Sequence, residues 1–270
     1  MTGRQGMMLA RHIRFSINPF LAEQPQGYNS YASRPCGEGF ALYFGLWVEL
    51  DGPVDDDTGF VVNVVEIDRQ VRAAVVPLFV ARVCEAFPAG RHMALSDVVG
   101  LLKEAWAALR GRFGGAEVSR MCLELNPFRK VAIGAEDCAV YCFSEKFEFA
   151  AMHTLWNGKF SPEKNLKMFG KCANPSGHGH NYVVEVTLER PLGGQEHQTG
   201  EFEKTVHDVF IESVDHKNLN VQVPEFAELN PTVENIARVA WERLHGRFSG
   251  AKLSSVTVWE NDKTYCTFRG

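Results

Sequence analysis

The chain has 270 residues, of which 45% are hydrophobic and 23% charged, a composition typical of a folded globular protein and not of a disordered or fibrous one. Aspartate and glutamate (33) outnumber lysine and arginine (28), and the net charge of -5 excludes the basic footprint of a nucleic-acid-binding protein. No apolar run approaches the roughly 18 residues of a membrane-spanning helix, and the 7 cysteines show no regular spacing. We therefore expect a cytoplasmic protein with reduced thiols and with neither a nucleic-acid nor a membrane partner.

Each half of the chain predicts the same order of elements: strand, strand, helix, helix, strand, strand. In the first half, the residues around Trp106 carry apolar side chains at the spacing of one helix face, and this helix leads through Gly-Arg-Phe at 111–113 into an alternating strand. The helix pattern recurs around Trp241 and again leads through Gly-Arg-Phe, at 246–248. The shared features indicate an internal repeat, so we predict two homologous domains, residues 1–133 and 134–270.

The second domain shows its elements more clearly. Residues 141–152 are predicted to be extended, and residues 178–189 alternate between apolar and polar as a strand does. A helix is expected over 202–213, and the last helix is expected to begin with Asn230 as its N-cap and Pro231 as its first residue. Short connections make such strands antiparallel and leave the helices on one face of the sheet. The predicted fold class is therefore α+β.

Three histidines of the second domain could hold a metal ion. His178 and His180 are two residues apart on a strand, so both side chains lie on one face, and His153 ends the preceding strand. Three protein ligands that leave a coordination position open are typical of a catalytic zinc site. A His-Gly-His pair is weak evidence by itself, since many such histidines only pack in a core. The aligned positions of the first domain carry no histidine, which favours function over packing; they are Pro19, Phe40 and Leu42.

The same comparison of the two halves singles out two carboxylates and an Asp-His pair. Glu260 lies on an otherwise apolar strand face, where a carboxylate is costly unless it has a partner, and its counterpart is Leu125. Glu234 lies in the first turn of the last helix, where it could bind a ligand or simply complement the helix dipole. The pair Asp215-His216 has no counterpart in the first domain, although a surface pair of this kind is commonly structural.

These residues lie in segments that together resemble 6-pyruvoyl tetrahydropterin synthase and its bacterial relative, 6-carboxytetrahydropterin synthase. The matching segments cover the whole of the second domain in order; they are residues 149–153, 172–182, 214–220, 231–235 and 258–260. The first domain resembles the same fold only through the repeat, and its site residues are gone. It is therefore expected to be a degenerate, non-catalytic domain.

The resemblance implies a tunnelling fold (T-fold) in each domain, with a four-stranded antiparallel sheet, two helices on one face, and oligomerisation around a barrel. The implied substrate is 7,8-dihydroneopterin triphosphate, from which triphosphate is eliminated while the side chain is rearranged. The implied ligands of Zn2+ are His153, His178 and His180. The implied general base and its proton-relay partners are Cys172, Asp215 and His216. The residues implied to bind the pterin are Glu260, Thr232 and Glu234.

Several alternatives stay open beside this interpretation. Five residues separate Cys172 from His178, which favours 6-pyruvoyl tetrahydropterin as the product over the 6-carboxytetrahydropterin of queuosine biosynthesis. A non-catalytic pterin- or metal-binding module, in which the doubled fold serves assembly, is a third alternative. The oligomer could be a homotrimer of doubled chains or a homohexamer. Finally, the family has a short apolar strand after Thr-Gly, which residues 60–65 predict in the first domain but which the second domain lacks after Gly200.

Overall fold

The computed structural model describes residues 6–29, 31–35, 39–136, 138–194 and 198–270. The chain forms two compact units. The N-terminal unit comprises Met1–Phe143 and Pro191–Glu196, and the C-terminal unit comprises Ser144–Arg190 and His197–Gly270. Both are mixed α and β units with antiparallel strand pairs. Within the described residues, the helices are too short or too polar to cross a membrane.

The described strands of the N-terminal unit pair antiparallel in chain order. They are β1 (Gly6–Ile17), β2 (Leu42–Pro53), β3 (Glu117–Asn126) and β4 (Arg129–Ile133). The helices that pack on them are α1 (Val64–Ala74), α2 (Val76–Ala86) and α3 (Leu95–Leu109). The core lies between helices and sheet, where the ring of Phe15 on β1 meets that of Phe79 on α2 edge-on at 5.4 Å.

The strand predicted at residues 60–65 does not form. Instead α1 begins at Val64, because the side chain of Asn63 accepts a hydrogen bond of 2.9 Å from the backbone N–H of Val65 and caps the helix. Of the two helices predicted for this half, the first is divided into α1 and α2. Pro77 explains this break, since it has no N–H to continue the helical hydrogen-bond ladder.

The long strands of the C-terminal unit follow the order β5 (Val140–His153), β6 (His178–Pro191), β8 (Lys252–Asn261) and β9 (Thr264–Phe268). A short strand, β7 (Lys217–Asn218), pairs parallel with the end of β5. The helices are α4 (Pro162–Phe169), α5 (Thr199–Val206), α6 (Glu212–Val214), α7 (Leu219–Gln222) and α8 (Val233–Leu244). The predicted helix over 202–213 is interrupted by a π-helical turn at His207–Ile211.

One face of the sheet in the C-terminal unit is covered by α8 and forms the core. Val184 on β6 and Val256 and Val258 on β8 are fully buried, as are Ile236 and Ala240 on α8. Because alternate residues of a strand share a face, this buried stripe continues toward the strand ends. The side chains that complete it there are Tyr182, His180 and His178 on β6 and Glu260 on β8. The alternation predicted for β6 is therefore confirmed.

The predicted start of α8 is wrong by two residues. Thr232, not Asn230, is the N-cap, and its hydroxyl accepts a hydrogen bond of 3.4 Å from the N–H of Asn235. The side chain of Asn230 instead accepts a hydrogen bond of 2.9 Å from the N–H of Trp156, just after β5. Asn230 and the extended backbone of Thr232 therefore connect the start of α8 to the end of β5.

Candidate metal centre

The three histidines singled out in the sequence lie together at one end of the C-terminal sheet. The Nε2 atoms of His153 and His178 are 3.1 Å apart, and the ring centres of His178 and His180 are 4.8 Å apart. One ligand atom from each of the three lies within 4.8 Å of the other two. Nitrogens bound to one tetrahedral zinc at 2.0–2.1 Å are separated by about 3.3–3.4 Å. Only a small adjustment of the rings would therefore place all three around one ion.

His153 is held in a single orientation by the chain around it. Its side chain is only 1% exposed, and its Nδ1 lies 2.7 Å from the carbonyl oxygen of Pro231. A carbonyl can only accept, so Nδ1 carries the proton and donates it. The lone pair of Nε2 then faces the other two histidines, which is the arrangement that a metal ligand needs. The hydroxyl of Tyr182 lies 3.4 Å from the same Nδ1.

The electrostatics of the cluster also fit a divalent ion. Burial lowers the pKa of His153 and of His178, and each is lowered further by neighbouring imidazoles, so the neutral form is favoured. His180 Nε2 is buried and has no hydrogen-bond partner among the described residues. Buried ring nitrogens without partners are costly, and a bound cation would give such a lone pair a partner. The donor set therefore suits zinc, for which neutral imidazole is a common ligand.

A glycine lets the loop before β6 approach the end of β5. Gly177 has a φ of +73°, and a Cβ there would lie 2.8 Å from Met152 Cε and 3.1 Å from the carbonyl oxygen of His153. The 3-10 helical turn that precedes this loop, Gly170–Ala173, is held by a hydrogen bond of 2.8 Å from the N–H of Leu155 to the carbonyl of Cys172. These two contacts bring Cys172 and His178 to the strand end that carries His153.

Glu260 lies against the same cluster, and Cys172 is near enough for the charge of Glu260 to act on its thiol. Glu260 Oε1 is 3.5 Å from His180 Nε2 and 3.8 Å from His153 Nε2, and its side chain is 22% exposed. Neither contact is a hydrogen bond, because His153 Nε2 carries a lone pair and His180 Nε2 has no hydrogen-bond partner among the described residues. Cys172 is half-buried, and burial and the charge of Glu260 both raise the pKa of its thiol. With the site in this state, the thiol form of Cys172 is favoured over the thiolate.

Asp215 and His216 form a pair of their own beside Ala150 of β5. Asp215 accepts a hydrogen bond of 2.8 Å from the N–H of Ala150, and its other oxygen is 2.9 Å from His216 Nδ1. These contacts lower the pKa of Asp215, that of Ala150 most strongly. His216 has a φ of 56° and a side chain that is 81% exposed, and it lines a groove of about 500 Å³. Among the described residues, no hydrogen bond joins His216 to Cys172.

The two remaining predicted residues, Thr232 and Glu234, make no hydrogen bond to these imidazoles in the described part of the chain. The hydroxyl of Thr232 caps α8. Glu234 is exposed in the first turn of that helix, and its charge, second to burial, raises the pKa of Cys266 on β9. The sequence analysis missed the carbonyl of Pro231, because every residue type has a backbone carbonyl and the sequence does not show which one accepts a hydrogen bond. Tyr182 had a signal, its place on the histidine face of β6.

The comparisons with known proteins concern this C-terminal half. The profile of the family described as 6-pyruvoyl tetrahydropterin synthase matches residues 142–270. The human 6-pyruvoyl tetrahydrobiopterin synthase is 38% identical over 130 residues, which are 47% of this chain and 90% of the human protein. The 6-carboxy-5,6,7,8-tetrahydropterin synthase of Aquifex aeolicus is 27% identical over 148 residues, covering 43% of this chain and 90% of that protein.

A solved structure of Caenorhabditis elegans 6-pyruvoyl tetrahydropterin synthase is 34% identical and covers 48% of this chain and 96% of that one, with a TM-score of 0.45. The human relative exceeds 30% identity over nearly its whole length. The resemblance inferred from the five sequence segments is therefore confirmed. The chain belongs to the 6-pyruvoyl tetrahydropterin synthase family.

Proposed function

We propose that this protein is a zinc-dependent lyase that converts 7,8-dihydroneopterin triphosphate to 6-pyruvoyl tetrahydropterin, with elimination of triphosphate, in tetrahydrobiopterin biosynthesis. The observation that carries this proposal is the convergence of His153, His178 and His180 at one point next to Glu260, whose charge also acts on Cys172. A metal ligand set, a group able to accept a proton and a carboxylate are the parts that this chemistry needs.

His153, His178 and His180 would hold the zinc through their ring nitrogens. When bound, zinc supplies a Lewis acid that acidifies the C–H bonds next to the substrate's side-chain hydroxyls. The chain itself contributes orientation: the carbonyl of Pro231 keeps the Nε2 of His153 directed into the cluster.

Glu260 would bind the pterin ring. An ionised carboxylate accepts two parallel hydrogen bonds, which matches the donor pair formed by the ring's 2-amino group and N3–H. Because the charge of Glu260 raises the pKa of Cys172, donors bound to that carboxylate would reduce its effect on the thiol. Substrate binding would thus favour the thiolate of Cys172, the general base that moves the proton. Thr232 and Glu234 are proposed to line the pocket near this end of α8.

Asp215 and His216 are proposed as the proton relay. Within one chain His216 does not bond to Cys172, its side chain is exposed, and its backbone has a conformation that non-glycine residues rarely adopt. The backbone contacts of Ala150 hold this conformation, since the N–H of His216 donates to the Ala150 carbonyl at 2.6 Å. We therefore propose that His216 acts on Cys172 of a second chain, within a homotrimer or a homohexamer.

We further propose that the chain is a tandem of two tunnelling-fold domains, residues 1–133 and 134–270, of which only the second is catalytic. The strand registers support this. The β2–β3 pairing shifts between Glu49 and Leu50, and the β6–β8 pairing shifts between Thr187 and Leu188. These steps correspond, because residues 48–53 of the first half resemble residues 186–191 of the second. The pairings β3–β4 and β8–β9 each skip one residue; the skipped residues are the aligned Leu125 and Glu260. Bulges at corresponding positions are expected of a duplicated fold.

One assay tests this function. The purified protein is incubated with zinc and 7,8-dihydroneopterin triphosphate, and the pterin product is identified by mass. We expect 6-pyruvoyl tetrahydropterin. Formation of 6-carboxytetrahydropterin would instead support a second candidate function, that of a 6-carboxytetrahydropterin synthase. The reason to consider it is the similarity to the Aquifex aeolicus enzyme of that name. If no triphosphate is released, both are wrong.

A variant identifies the base. Cys172→Ala should abolish turnover while leaving zinc content unchanged, because the sulfur is not among the proposed ligands. Cys266→Ala is the matched control, since it removes another half-buried thiol of the same unit. Full activity of Cys172→Ala would show that another residue is the general base.

A further inference from the structure

We propose that the N-terminal unit contains a separate binding site for a small molecule that carries a phosphate or carboxylate group on an apolar body. The site is a cavity of about 580 Å³ between a loop, residues 26–28 with 34–35, and helices α1 and α2. Arg34 of the loop and Arg72 of α1 both line it. This cavity is distinct from the histidine cluster, which lies in the other unit.

Arg34 has hydrogen-bonding capacity that the described protein does not use. Its Nη2 donates to the carbonyl of Tyr28, but its Nε is buried and has no partner among the described residues. A buried N–H without an acceptor is costly, more so on a charged group. An oxyanion in the cavity would give the guanidinium a charged partner, and the guanidinium fork is suited to carboxylate and phosphate.

Arg72 adds a second, desolvated cation. Its Nη1 donates to the carbonyl of Arg34 at 2.9 Å and its Nη2 to the carbonyl of Arg14 at 3.3 Å. These carbonyls hold the guanidinium beside the cavity but carry no net charge to balance it. Burial lowers the pKa of Arg72; the charge of Asp68 opposes this shift, and the charges of Arg34 and Arg11 add to it.

The nearby carboxylate is already in use. Asp68 accepts two hydrogen bonds from Arg11, at 2.8 and 2.7 Å, in a bidentate pair. Within the described parts of the chain, no carboxylate lies within ion-pair distance of Arg34 or Arg72. The cavity is thus locally positive in a chain whose net charge is -5. A diffusible anion is the partner that this charge fits.

The rest of the lining indicates what the anion is attached to. The wall opposite the loop is apolar; it consists of Val76, Pro77, Val80 and Ala81. Tyr28, at the rim, is 88% exposed and offers an aromatic face. A ring or short apolar body with one oxyanion group would contact both the wall and the arginines.

Calorimetric titration of the full chain tests the site. The probes are phenyl phosphate and benzoate, which separate the two anion chemistries, and phenol, which has the ring without the charge. We expect saturable binding of at least one anion and none of phenol. Arg34→Gln should weaken binding by at least about tenfold, the effect of losing charge-assisted hydrogen bonds.

Matched variants keep the result interpretable. Arg69→Gln removes an exposed arginine of α1, the helix that carries Arg72. Arg69 pairs with Glu66, so this variant should bind the anions like the unmodified chain. Arg34→Lys keeps the charge but loses the fork, and should also weaken binding if Arg34→Gln fails to fold. His178→Ala should bind normally, since it alters only the C-terminal unit. The proposal is wrong if neither anion binds, if the Arg34 variants bind as well as Arg69→Gln, or if His178→Ala abolishes binding.

Discussion

The Nδ1 of His153 donates a hydrogen bond of 2.7 Å to the carbonyl oxygen of Pro231, and this contact selects the nitrogen that faces the other histidines. The acceptor lies in the extended segment just before α8. The orientation of the candidate metal ligand therefore depends on how the start of that helix is fastened to the end of β5. Partners that orient a ligand in this way commonly change metal affinity by about 10- to 100-fold when they are lost.

Asn230 is the residue that fastens this segment. Its side chain accepts from the N–H of Trp156 at 2.9 Å, and its carbonyl accepts from the side chain of Asn235 at 2.8 Å. Asn230→Ala should free the carbonyl of Pro231 to move and weaken zinc binding by about tenfold. Competition with a zinc-sensitive dye measures this. Asn126→Ala is the control; its side chain also accepts hydrogen bonds from backbone N–H groups, but in the N-terminal unit, so zinc affinity should not change.

Gly177→Ala should strain its own backbone and, in addition, disturb the histidine cluster. A left-handed conformation costs a non-glycine residue about 1–2 kcal/mol, and the new Cβ would also press on His153 and Met152. Gly250→Ala has a similar φ of +65° but nothing within 4 Å of the new Cβ, so it carries only the first cost. We expect both variants to lose stability in denaturant unfolding but only Gly177→Ala to lose zinc affinity. Equal zinc affinity in the two variants would contradict this.

Removal of the Glu260 charge should make Cys172 more reactive. Burial is the larger cause of the raised pKa of this thiol, and Glu260 is the second, so Glu260→Gln should lower the pKa without restoring the ordinary value. Alkylation of metal-free protein at pH 8, followed by peptide mass mapping, should show Cys172 reacting roughly two- to fivefold faster. Glu234→Gln is the matched control, because its charge acts on Cys266 instead. An unchanged rate in Glu260→Gln would show that the charge of Glu260 does not act on the thiol of Cys172, which would contradict the prediction.

The metal-free protein should lose stability as the pH falls below about 6.5, the ordinary pKa of histidine. The pKa of His153 and of His178 is lowered in the folded chain, so the unfolded chain binds these protons first. Stability is then fully present above pH 6.5 and decreases as the pH falls toward the lowered values. Thermal unfolding in chelator from pH 8 to pH 5 measures this dependence. It should be weaker in His153→Gln and unchanged in His92→Gln, which alters an exposed position.

Much of the site was predictable because it follows from strand periodicity. Residues two apart share a face, so His178, His180 and Tyr182 had to lie together once β6 was recognised. Local choices between two acceptable caps were not predictable. Thr232 and Asn230 are both good N-caps, and the contact of Asn230 with Trp156, distant in sequence, decides between them.

The predicted strand at 60–65 failed for a related reason. A run of β-branched and aromatic residues favours a strand, but Asn63 within it offers a helix cap, and α1 buries Ile67 and Val71 against the core. The relation of His216 to Cys172 was also beyond the sequence. The resemblance to the family implies that both residues act in one site. Only the folded chain shows that no hydrogen bond joins them within a single chain.

The amount of zinc bound per chain, measured by mass spectrometry after purification with zinc and removal of excess metal, tests the central proposal most directly. The unmodified chain should retain one ion. His178→Ala should retain far less, while Cys172→Ala should match the unmodified chain. An unmodified chain without tightly bound metal, or a His178→Ala variant with full metal content, would contradict the assignment of the three histidines as a zinc site.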